Sequence, residues 1–423
     1  MRLLYVTSSF PYGEGEGFLV PELRELERQG HEVTIVPALA RGRVVHRDAG
    51  AFLPDTRRMP LLSPAVVSAA ARVSLASPAS SLRELLLLRR SQTPSILAKN
   101  LAVLPKALWL AALARKLEVA HIHAHWGGTS GTLAMVAGRL ARVPWSLTVH
   151  RWDIREDNLL ARKVQSAAFV RAISRDGLRD LRRVAGPAST PTLVIHMGID
   201  LPARVPVPVD RAAGEPFRIL VAANLLEVKG HKHLVEAAAL LRSRGVRVLV
   251  GLAGEGPLRA ELAGQIAGNR LEGECVMLGQ LDHADLLGQL AAGRWDAVAL
   301  ASIVTERGEK EGIPVALLEA MSYGLPVVGT AAGAVPELLG SGAGILVPPG
   351  DPAALAAALE QLARDRALRA RIGGRGRELV EREFDVTQIV RELGSRFEQA
   401  SRPRREPVQT AGRGRSRPSR AGS

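Results

Sequence analysis

Two glutamates flank a short apolar string and are the side chains whose spacing most directly suggests chemistry. Glu311 and Glu319 bound the string EGIPVALLE, and Gly324 follows shortly after it. Pro314 suits the first turn of a helix because its φ is fixed and it has no N–H to satisfy, and Gly324 suits the helix end. The pattern therefore places Glu319 within the helix and Glu311 on the loop before it. Two carboxylates so spaced are too far apart to share a proton, but they can contact both ends of an extended ligand such as a sugar nucleotide.

A lysine in the second half of the chain is the main candidate for binding an anion. Lys229 lies in the string NLLEVKG, between a predicted strand and a helix that we expect to begin at His231 or Lys232. A cation at a helix N-terminus, where backbone N–H groups have no partner in the helix, is well placed to bind a diphosphate. The sequence contains no Asp-x-Asp string, so we predict that no metal ion bridges this diphosphate.

These strings resemble a known family, the retaining GT-B glycosyltransferases of family 4 (GT4), and the resemblance covers nearly all of residues 1–400. The family signature is a Glu, seven residues, a second Glu followed by Ala, and a Gly-x-Pro-Val-Val strand, and residues 311–328 match it. The resemblance implies that Glu311 acts in catalysis by contacting the donor sugar hydroxyls. It implies that Glu319 contacts the ribose hydroxyls and that Lys229 binds the diphosphate.

The same resemblance assigns further positions to donor binding. The backbone of the turn before the helix is expected to approach the sugar and phosphates, and a glycine turn after another strand is expected near the nucleotide. Such a glycine turn is weak evidence alone, because tight connections use glycine whether or not a ligand is present. Where the family often has an arginine, this chain has an asparagine, so the second phosphate cation is unidentified. The positions concerned are Gly312, Ile313, Pro314, Gly254 and Asn224.

A histidine at the end of a predicted strand in the first half belongs to the string TVHRWD, residues 148–153. The string resembles the family's Thr-x-His-Gly-x-Asp, whose histidine reaches the donor sugar from the acceptor domain. This implies a catalytic role for His150 and an acceptor-cleft position for Asp153. Arg151 replaces the usual glycine and is also placed in the acceptor cleft, where it could alter the pocket or supply the missing phosphate cation. A purely structural histidine is the alternative for His150.

Three histidines, His121, His123 and His125, alternate along another predicted strand and therefore share one face. They would spread over about 13 Å of strand, which is poor geometry for one metal ion, so we expect no metal site. The string HAH resembles a His-Ala-His-Phe string of the colanic-acid-type polysaccharide transferases of the family. This resemblance implies that His125 lies in the acceptor cleft. Glu16, in the first loop, begins a Glu-Gly-Phe string that resembles the Glu-Thr-Phe of the same subgroup and has the same expected position.

Short aliphatic runs alternate with longer segments of helical period, as in parallel sheets wrapped by helices. Two sets of six strands predict an α/β fold of two doubly wound Rossmann-like domains facing across a cleft, with ligands at the carboxyl ends of the strands. With the resemblance, we predict an acceptor-binding domain over residues 1–200, a linker over 201–215, a nucleotide-sugar-binding domain over 216–385, a helix over 386–400 that crosses back to the first domain, and a disordered basic tail over 401–423. The predicted strands are Leu3–Thr7, Glu32–Val36, Val119–Ala124, Ser146–His150, Phe169–Ile173, Leu193–His196, Phe217–Ala223, Val246–Ala253, Glu274–Leu278, Asp296–Ala301, Pro326–Thr330 and Gly344–Val347.

Composition limits the other classes. The 423 residues are enough for two domains, and the single cysteine, Cys275, excludes an internal disulfide and a multi-cysteine metal site. No N-terminal signal peptide is evident, so we expect a cytoplasmic location. Of the net charge of +14, +6 comes from residues 401–423, which contain no aromatic residue to stack on bases. We therefore expect no nucleic-acid partner.

Residues 60–117 are unusually apolar. Lys106 and flanking basic residues keep the uncharged run below the roughly 18 residues of a transmembrane helix, so we expect no membrane span. Two interpretations stay open. The segment is either a helix buried in the core or a helix that contacts the anionic inner leaflet of the membrane to reach a lipid-linked acceptor.

The predicted function is transfer of a sugar, with retention at the anomeric carbon, from a nucleotide diphosphate sugar to a glycan or lipid-linked glycan in cell-surface polysaccharide or glycolipid synthesis. No cofactor is expected besides this donor. The alternatives are a nucleotide-sugar epimerase or phosphorylase on the same fold, and a non-catalytic sugar-nucleotide-binding protein. The sequence does not indicate the nucleotide base, the sugar or the acceptor.

Overall fold

The computed structural model describes residues 1–13, 15–45, 47–205 and 214–402. Most of the predicted linker, residues 206–213, and the tail from residue 403 lie outside the described residues. The described residues form two parallel sheets of six strands each, which confirms the predicted fold class. Each predicted strand overlaps an observed strand, and the ends differ by at most two residues.

The first sheet consists of β1 (Arg2–Thr7), β2 (Glu32–Pro37), β3 (His121–His125), β4 (Trp145–Val149), β5 (Val170–Ala172) and β6 (Thr192–Val194). Its helices are α1 (Leu19–Arg28), α2 (Pro64–Ala76), α3 (Pro78–Leu88), α4 (Pro94–Lys116), α5 (Thr129–Ala141), α6 (Arg151–Glu156), α7 (Leu160–Ser166) and α8 (Arg175–Ala185). The strand order is β2-β1-β3-β4-β5-β6. Alternate residues of β1 point to opposite faces, and both faces are buried: Leu4 and Val6 join one apolar cluster, while Leu3 and Tyr5 join another. A parallel sheet covered by helices on both faces requires this pattern.

The second sheet consists of β7 (Phe217–Ala222), β8 (Val248–Ala253), β9 (Cys275–Gly279), β10 (Ala297–Leu300), β11 (Val327–Thr330) and β12 (Ile345–Val347), in the order β12-β11-β10-β7-β8-β9. Its helices are α9 (His231–Ser243), α10 (Arg259–Gly268), α11 (His283–Ala291), α12 (Val315–Ser322), α13 (Val335–Leu339), α14 (Pro352–Arg364) and α15 (Arg366–Glu383). Two short 3-10 helices span Arg47–Phe52 and Glu227–Lys229.

The last described helix, α16 (Val386–Ser401), packs against the first sheet. Val390, Leu393 and Phe397 belong to the same apolar cluster as Leu3 and Tyr5. The Ser401 hydroxyl donates to the Ala120 carbonyl at 3.0 Å, directly before β3. The chain therefore returns to the first domain after it completes the second sheet. The second domain is thus covalently connected to the first at both of its ends.

Loops at the carboxyl ends of the two sheets contact each other. The ammonium group of Lys310, in the connection after β10, lies 2.6 Å from Asp176 and 2.9 Å from Asp180 of α8. The Glu337 carboxylate of α13 accepts a hydrogen bond from the Arg175 N–H at 2.7 Å. The strand ends where ligands bind in doubly wound folds therefore face one another, and the residues between them form a cleft.

Helix α4 is long and apolar enough to cross a membrane by length and composition, with 44% of its most apolar window buried. Much of its surface lies in the core of the first domain, where Val103, Ala107 and Leu110 belong to the main apolar cluster. The buried Lys106 ammonium donates to three backbone carbonyls, at 2.6, 3.1 and 2.7 Å. Two interpretations were open for residues 60–117. For α4, the contacts agree with a helix buried in the core.

Candidate active site

The loops after the strands of the second sheet bring a lysine and a glutamate together. The Nζ atom of Lys229 lies 2.6 Å from Oε2 of Glu311, and the Ser302 hydroxyl donates to the same oxygen at 3.0 Å. Lys229 ends a 3-10 turn that is separated from α9 by Gly230 alone, and the first N–H groups of that helix have no partner within the helix. An anion that enters here meets Lys229, whose positive charge is already balanced by the Glu311 carboxylate.

Two glycines let these loops pack backbone against backbone. Gly230 has a φ of +63°, and a Cβ there would lie 2.0 Å from the Ala301 oxygen. Gly254 has a φ of +155°, and a Cβ there would lie 2.1 Å from the Ala223 oxygen. Any other residue would push the loops apart, so Gly254 has a structural reason to be glycine, and its donor contact stays a prediction. A Cβ on Gly312, by contrast, would meet no atom within 4 Å, which leaves that backbone open to a ligand.

The second glutamate of the pair lies on α12, as predicted, and is held by a histidine that the sequence did not indicate. The Nε2 atom of His283 lies 2.6 Å from Oε1 of Glu319. This hydrogen bond raises the pKa of His283, against the smaller effect of burial. The helix begins at Val315, and Pro314, which we placed in its first turn, is its N-cap. Ile313, also predicted to bind the donor, packs against the apolar cluster beneath α12. We call Lys229, Ser302, Glu311 and Glu319 the charged wall.

Across the cleft, His150 follows β4 and lies against the end of β3. Its Nε2 atom is 2.8 Å from Nε2 of His125, and its ring stacks on the Trp126 indole with centroids 4.2 Å apart. Asp153 accepts hydrogen bonds from the backbone N–H groups of His150 at 2.9 Å and Gly128 at 3.1 Å, which joins the loops after β3 and β4. Burial lowers the pKa of His150 to about 3, so the ring is neutral at physiological pH. We call His125, Trp126 and His150 the histidine wall.

Glu16 is 4% exposed, and its carboxylate is occupied by protein donors. It accepts from the backbone N–H groups of Ser9 and Phe10, each at 2.6 Å, and from the Trp126 indole N–H at 2.6 Å. Trp126 has a φ of 105°, which a residue with a side chain rarely adopts. Glu16 therefore shapes the first loop and holds Trp126 against His150, and its predicted contact with an acceptor stays a prediction.

A buried hydrogen-bonded chain lies behind the histidine wall, and the sequence analysis did not identify it. The Tyr5 hydroxyl lies 2.6 Å from Oε1 of Glu22 and 2.9 Å from Nδ1 of His125. Arg171 lies 2.6 Å from Oε2 of Glu22, and both side chains are fully buried. The one available signal was a charged residue, Arg171, in the middle of a predicted buried strand. A charge in such a position needs a partner.

Arg151, the residue that departs from the family string, is half-buried at the start of α6. Its Nη1 atom is buried and has no hydrogen-bond partner among the described residues. Burial lowers the pKa of Arg151, while electrostatic attraction from Glu311 and Glu309 raises it. The guanidinium carbon lies 5.0 Å from the centre of the Trp152 ring, and the group is close enough to the charged wall to interact electrostatically with Glu311. Asn224, the other departure, is exposed.

Both halves of the chain match glycosyltransferase family models. Residues 22–202 match the model described as Glycosyltransferase Family 4, and residues 208–379 match the model described as Glycosyl transferases group 1. The two models together cover most of the chain, and both describe glycosyltransferases. This confirms the resemblance inferred from the strings around Glu311 and His150.

Two relatives of this chain are named as glycosyltransferases of polysaccharide biosynthesis. The chain is 37% identical over 206 residues to WcaL of Escherichia coli, named as a colanic acid biosynthesis glycosyltransferase, covering 48% of this chain and 50% of that protein. It is 36% identical over 207 residues to the amylovoran biosynthesis glycosyltransferase AmsK of Erwinia amylovora, covering 48% and 50%. The matches thus span about half the length of these curated relatives.

Solved structures of the same fold extend over the whole described chain. HepE of Anabaena, crystallised in complex with UDP, aligns with a TM-score of 0.70 at 19% identity, covering 94% of this chain and 100% of HepE. Sucrose-phosphate synthase of Thermosynechococcus elongatus aligns with a TM-score of 0.66 at 20% identity, covering 94% and 99%. At these identities the likeness establishes the GT-B fold.

Proposed function

We propose that this protein is a retaining hexosyltransferase that moves a sugar from a nucleoside diphosphate sugar to a glycan acceptor in cell-surface polysaccharide synthesis. The observation that carries the proposal is the 2.6 Å pair between Lys229 and Glu311 at the N-terminus of α9, in the cleft that His150 lines from the other domain. The names of the relatives WcaL and AmsK support polysaccharide synthesis.

Donor binding would exchange partners within the charged wall. The diphosphate would replace the Glu311 carboxylate on Lys229, because a phosphate bears more charge and the α9 N–H groups also donate to it. Glu311 would then be free to accept hydrogen bonds from the sugar hydroxyls. Glu319 would accept from the ribose hydroxyls through Oε2, since Oε1 bonds to His283.

In the transfer step the acceptor hydroxyl oxygen would bond to the anomeric carbon as the bond from that carbon to the diphosphate oxygen breaks. Both events would occur on the same face of the sugar, and the acceptor proton would pass to the leaving phosphate oxygen. Lys229 and the α9 N-terminus would stabilise the charge that develops on that oxygen. Arg151 would add a second cation from the opposite wall, and no protein nucleophile or metal ion is invoked.

A nucleotide screen followed by turnover tests the proposal. Because ligand binding stabilises the folded state by about 2.7 kcal/mol at a hundredfold excess over Kd, one of UDP, GDP and ADP should raise the melting temperature. HepE structures contain UDP and UDP-glucose, so UDP-glucose is the first donor to test for release of UDP and transfer of glucose.

The controls for this screen are single substitutions. Lys229→Ala, Glu311→Ala and His150→Ala should each abolish transfer while the fold is retained, and Lys229→Ala should also remove the thermal shift. Wild-type activity in all three variants would overturn the proposal. An epimerised free sugar formed without any acceptor would indicate an epimerase instead.

We also propose that the protein works at the inner face of the cell membrane, on a lipid-linked acceptor, through the surface of α2 and α3. Arg72, Arg83, Arg89 and Arg90 are exposed on or directly after α2 and α3. The acidic residue of these helices, Glu84, is buried and paired with Arg139 at 2.7 Å. Leu75 is 83% exposed and Leu82 is 55% exposed on this surface. Exposed leucines among cations suit the interface of an anionic bilayer.

Vesicle sedimentation tests this contact. The protein should bind vesicles that contain phosphatidylglycerol more tightly than vesicles of phosphatidylcholine alone, and the double variant Leu75→Ser, Leu82→Ser should weaken binding at least about tenfold. Leu226→Ser is the matched control, because Leu226 is a 40% exposed leucine of the other domain. Equal binding by all proteins, or none by the wild type, would exclude this surface.

A further inference from the structure

A continuous row of hydrogen bonds leads from a buried ion pair to the histidine that faces the cleft. Arg171 lies 2.6 Å from Glu22, Glu22 lies 2.6 Å from the Tyr5 hydroxyl, and that hydroxyl lies 2.9 Å from Nδ1 of His125. The row ends with the 2.8 Å contact between Nε2 of His125 and Nε2 of His150. Its members come from α1, β1, β3, β5 and the end of β4, so five segments of the first domain build it.

The chemistry of each member determines where the protons lie. A carboxylate can only accept hydrogen bonds, and Glu22 forms an ion pair with the buried Arg171. The Tyr5 hydroxyl must therefore donate to Glu22, which leaves its oxygen to accept from His125. Nδ1 of His125 consequently bears the proton. Burial holds the pKa of His125 well below its ordinary value, so the ring is neutral and its Nε2 bears a lone pair.

The last contact of the row then has only one possible direction. Since Nε2 of His125 is an acceptor, Nε2 of His150 must carry the hydrogen and donate it. Nδ1 of the neutral His150 ring is left with a lone pair. The capping box at the start of α6 supplies its donor, because the Asp153 backbone N–H is directed at the His150 side chain.

We propose that Glu22, Tyr5 and His125 are positioning residues that hold His150 in the tautomer with a hydrogen on Nε2, so that Nδ1 accepts from the Asp153 N–H and the ring keeps one orientation at the cleft. The link to sugar transfer rests on the proposed function, while the tautomer itself does not.

Loss of the Tyr5 hydroxyl should reverse the direction of the hydrogen bond between His125 and His150. In Tyr5→Phe the N–H at Nδ1 of His125 has no acceptor, which is unfavourable for a buried donor. His125 then gains by moving its hydrogen to Nε2, where it can donate to His150. His150 in turn must place its hydrogen on Nδ1, where it opposes the Asp153 N–H, and the ring loses a hydrogen bond that orients it.

Nuclear magnetic resonance of histidine-labelled protein measures the tautomer directly. Long-range nitrogen–proton spectra of the full chain, with the His150 signals assigned by their absence in His150→Gln, should show hydrogen on Nε2 and not on Nδ1. The Tyr5→Phe variant should shift His150 toward the other tautomer. The wild-type spectrum alone decides the first point, so the proposal stays testable even where the variant folds poorly.

Kinetics of the same variants separate positioning from stability. Tyr5→Phe should lower kcat about tenfold with little change in the donor KM. Thr148→Val is the matched control, because it removes one buried hydrogen bond of the same sheet, between β4 and His123 of β3 at 2.9 Å, that lies outside the row. It should leave kcat within about twofold and the His150 tautomer unchanged.

Two results would overturn the proposal. One is hydrogen on Nδ1 of His150 in the wild type, and the other is a Tyr5→Phe variant that folds and keeps both the wild-type tautomer and kcat. A wild-type spectrum as predicted in a protein with no transferase activity would instead refute the proposed function and leave the positioning role standing.

Discussion

On the histidine wall the polar groups bond to one another inside their own domain, whereas on the charged wall they face the cleft in pairs of opposite charge. His125 and His150 are neutral rings with an ion pair behind them that is completely buried. The Lys229 side chain keeps 21% of its surface exposed, and its partner Glu311 keeps 9%. The first arrangement cannot rearrange without breaking the core. The second can exchange one partner for a ligand.

This difference suggests a division of labour between the domains. The histidine wall is organised before any ligand arrives, so its substitutions should cost stability or geometry. In the charged wall, Lys229 and Glu311 balance each other's charge until an anionic ligand replaces Glu311 as the partner of Lys229. Substitutions in this wall should therefore lower activity with little loss of stability. Four measurements test the contrast.

The largest effect is expected from Glu22→Ala. Removing one partner of a buried ion pair leaves Arg171 charged and unpaired, which should lower the free energy of unfolding by about 3–5 kcal/mol. Urea denaturation measures it. Glu25→Ala is the control on the same helix, because Glu25 is also buried but its partner Arg28 is 71% exposed. Equal losses in the two variants would contradict the contrast.

On the charged wall, Lys229→Ala should reduce kcat by about 10²–10³, the usual effect of removing one group that stabilises a developing charge. The free energy of unfolding should change by less than about 1 kcal/mol, because Lys229 is partly exposed and Glu311 keeps the Ser302 hydroxyl and the Gly312 N–H as donors. Lys232→Ala, an exposed lysine one turn away on α9, should have wild-type activity. A large stability loss in Lys229→Ala would show that this wall is as rigid as the other.

A smaller effect is expected from the cation that crosses the cleft. Arg151→Gly should lower kcat/KM about tenfold, since one charge-assisted contact to the diphosphate is lost. Adding Asn224→Arg to that variant should restore part of the activity, because it places a guanidinium near the same phosphates from the charged wall. If Arg151 only shapes the acceptor pocket, the second substitution should not help.

The smallest effect concerns pH and the pair of His283 with Glu319. The pKa of His283 is raised in the folded state, so the pair stabilises fully below the unfolded value of about 6.5. The contribution disappears as the pH rises through the raised pKa. Because the His283 side chain is 59% exposed, His283→Ala should cost less than about 1 kcal/mol at pH 6 and nothing at pH 9.

Unfolding curves of His283→Ala, Glu319→Gln and the double variant at both pH values measure this contribution. The three proteins should have the same pH dependence, since either substitution removes the pair. If the variants are still less stable than the wild type at pH 9, the contact between His283 and Glu319 is not an ion pair.

Much of the fold followed from local patterns. Aliphatic runs predicted all twelve strands because parallel strands are buried on both faces, and the strand-to-helix connection placed Lys229 directly before α9. The position of Glu311 before α12 and of Glu319 within it followed from Pro314 and Gly324. Glu16 is different, because no local sequence pattern indicated that its carboxylate accepts hydrogen bonds from the loop around it.

The sequence by itself determined the family, the two doubly wound domains and the elements that carry Lys229, Glu311 and His150, because each depends on residues close together in the chain. Only the tertiary structure decided the partners. Tyr5 meets Glu22 across 17 positions, Arg171 meets Glu22 across 149, and His283 meets Glu319 across 36. Hydrogen bonds between such distant residues depend on how sheets and helices pack, and no local pattern of residue types encodes that packing.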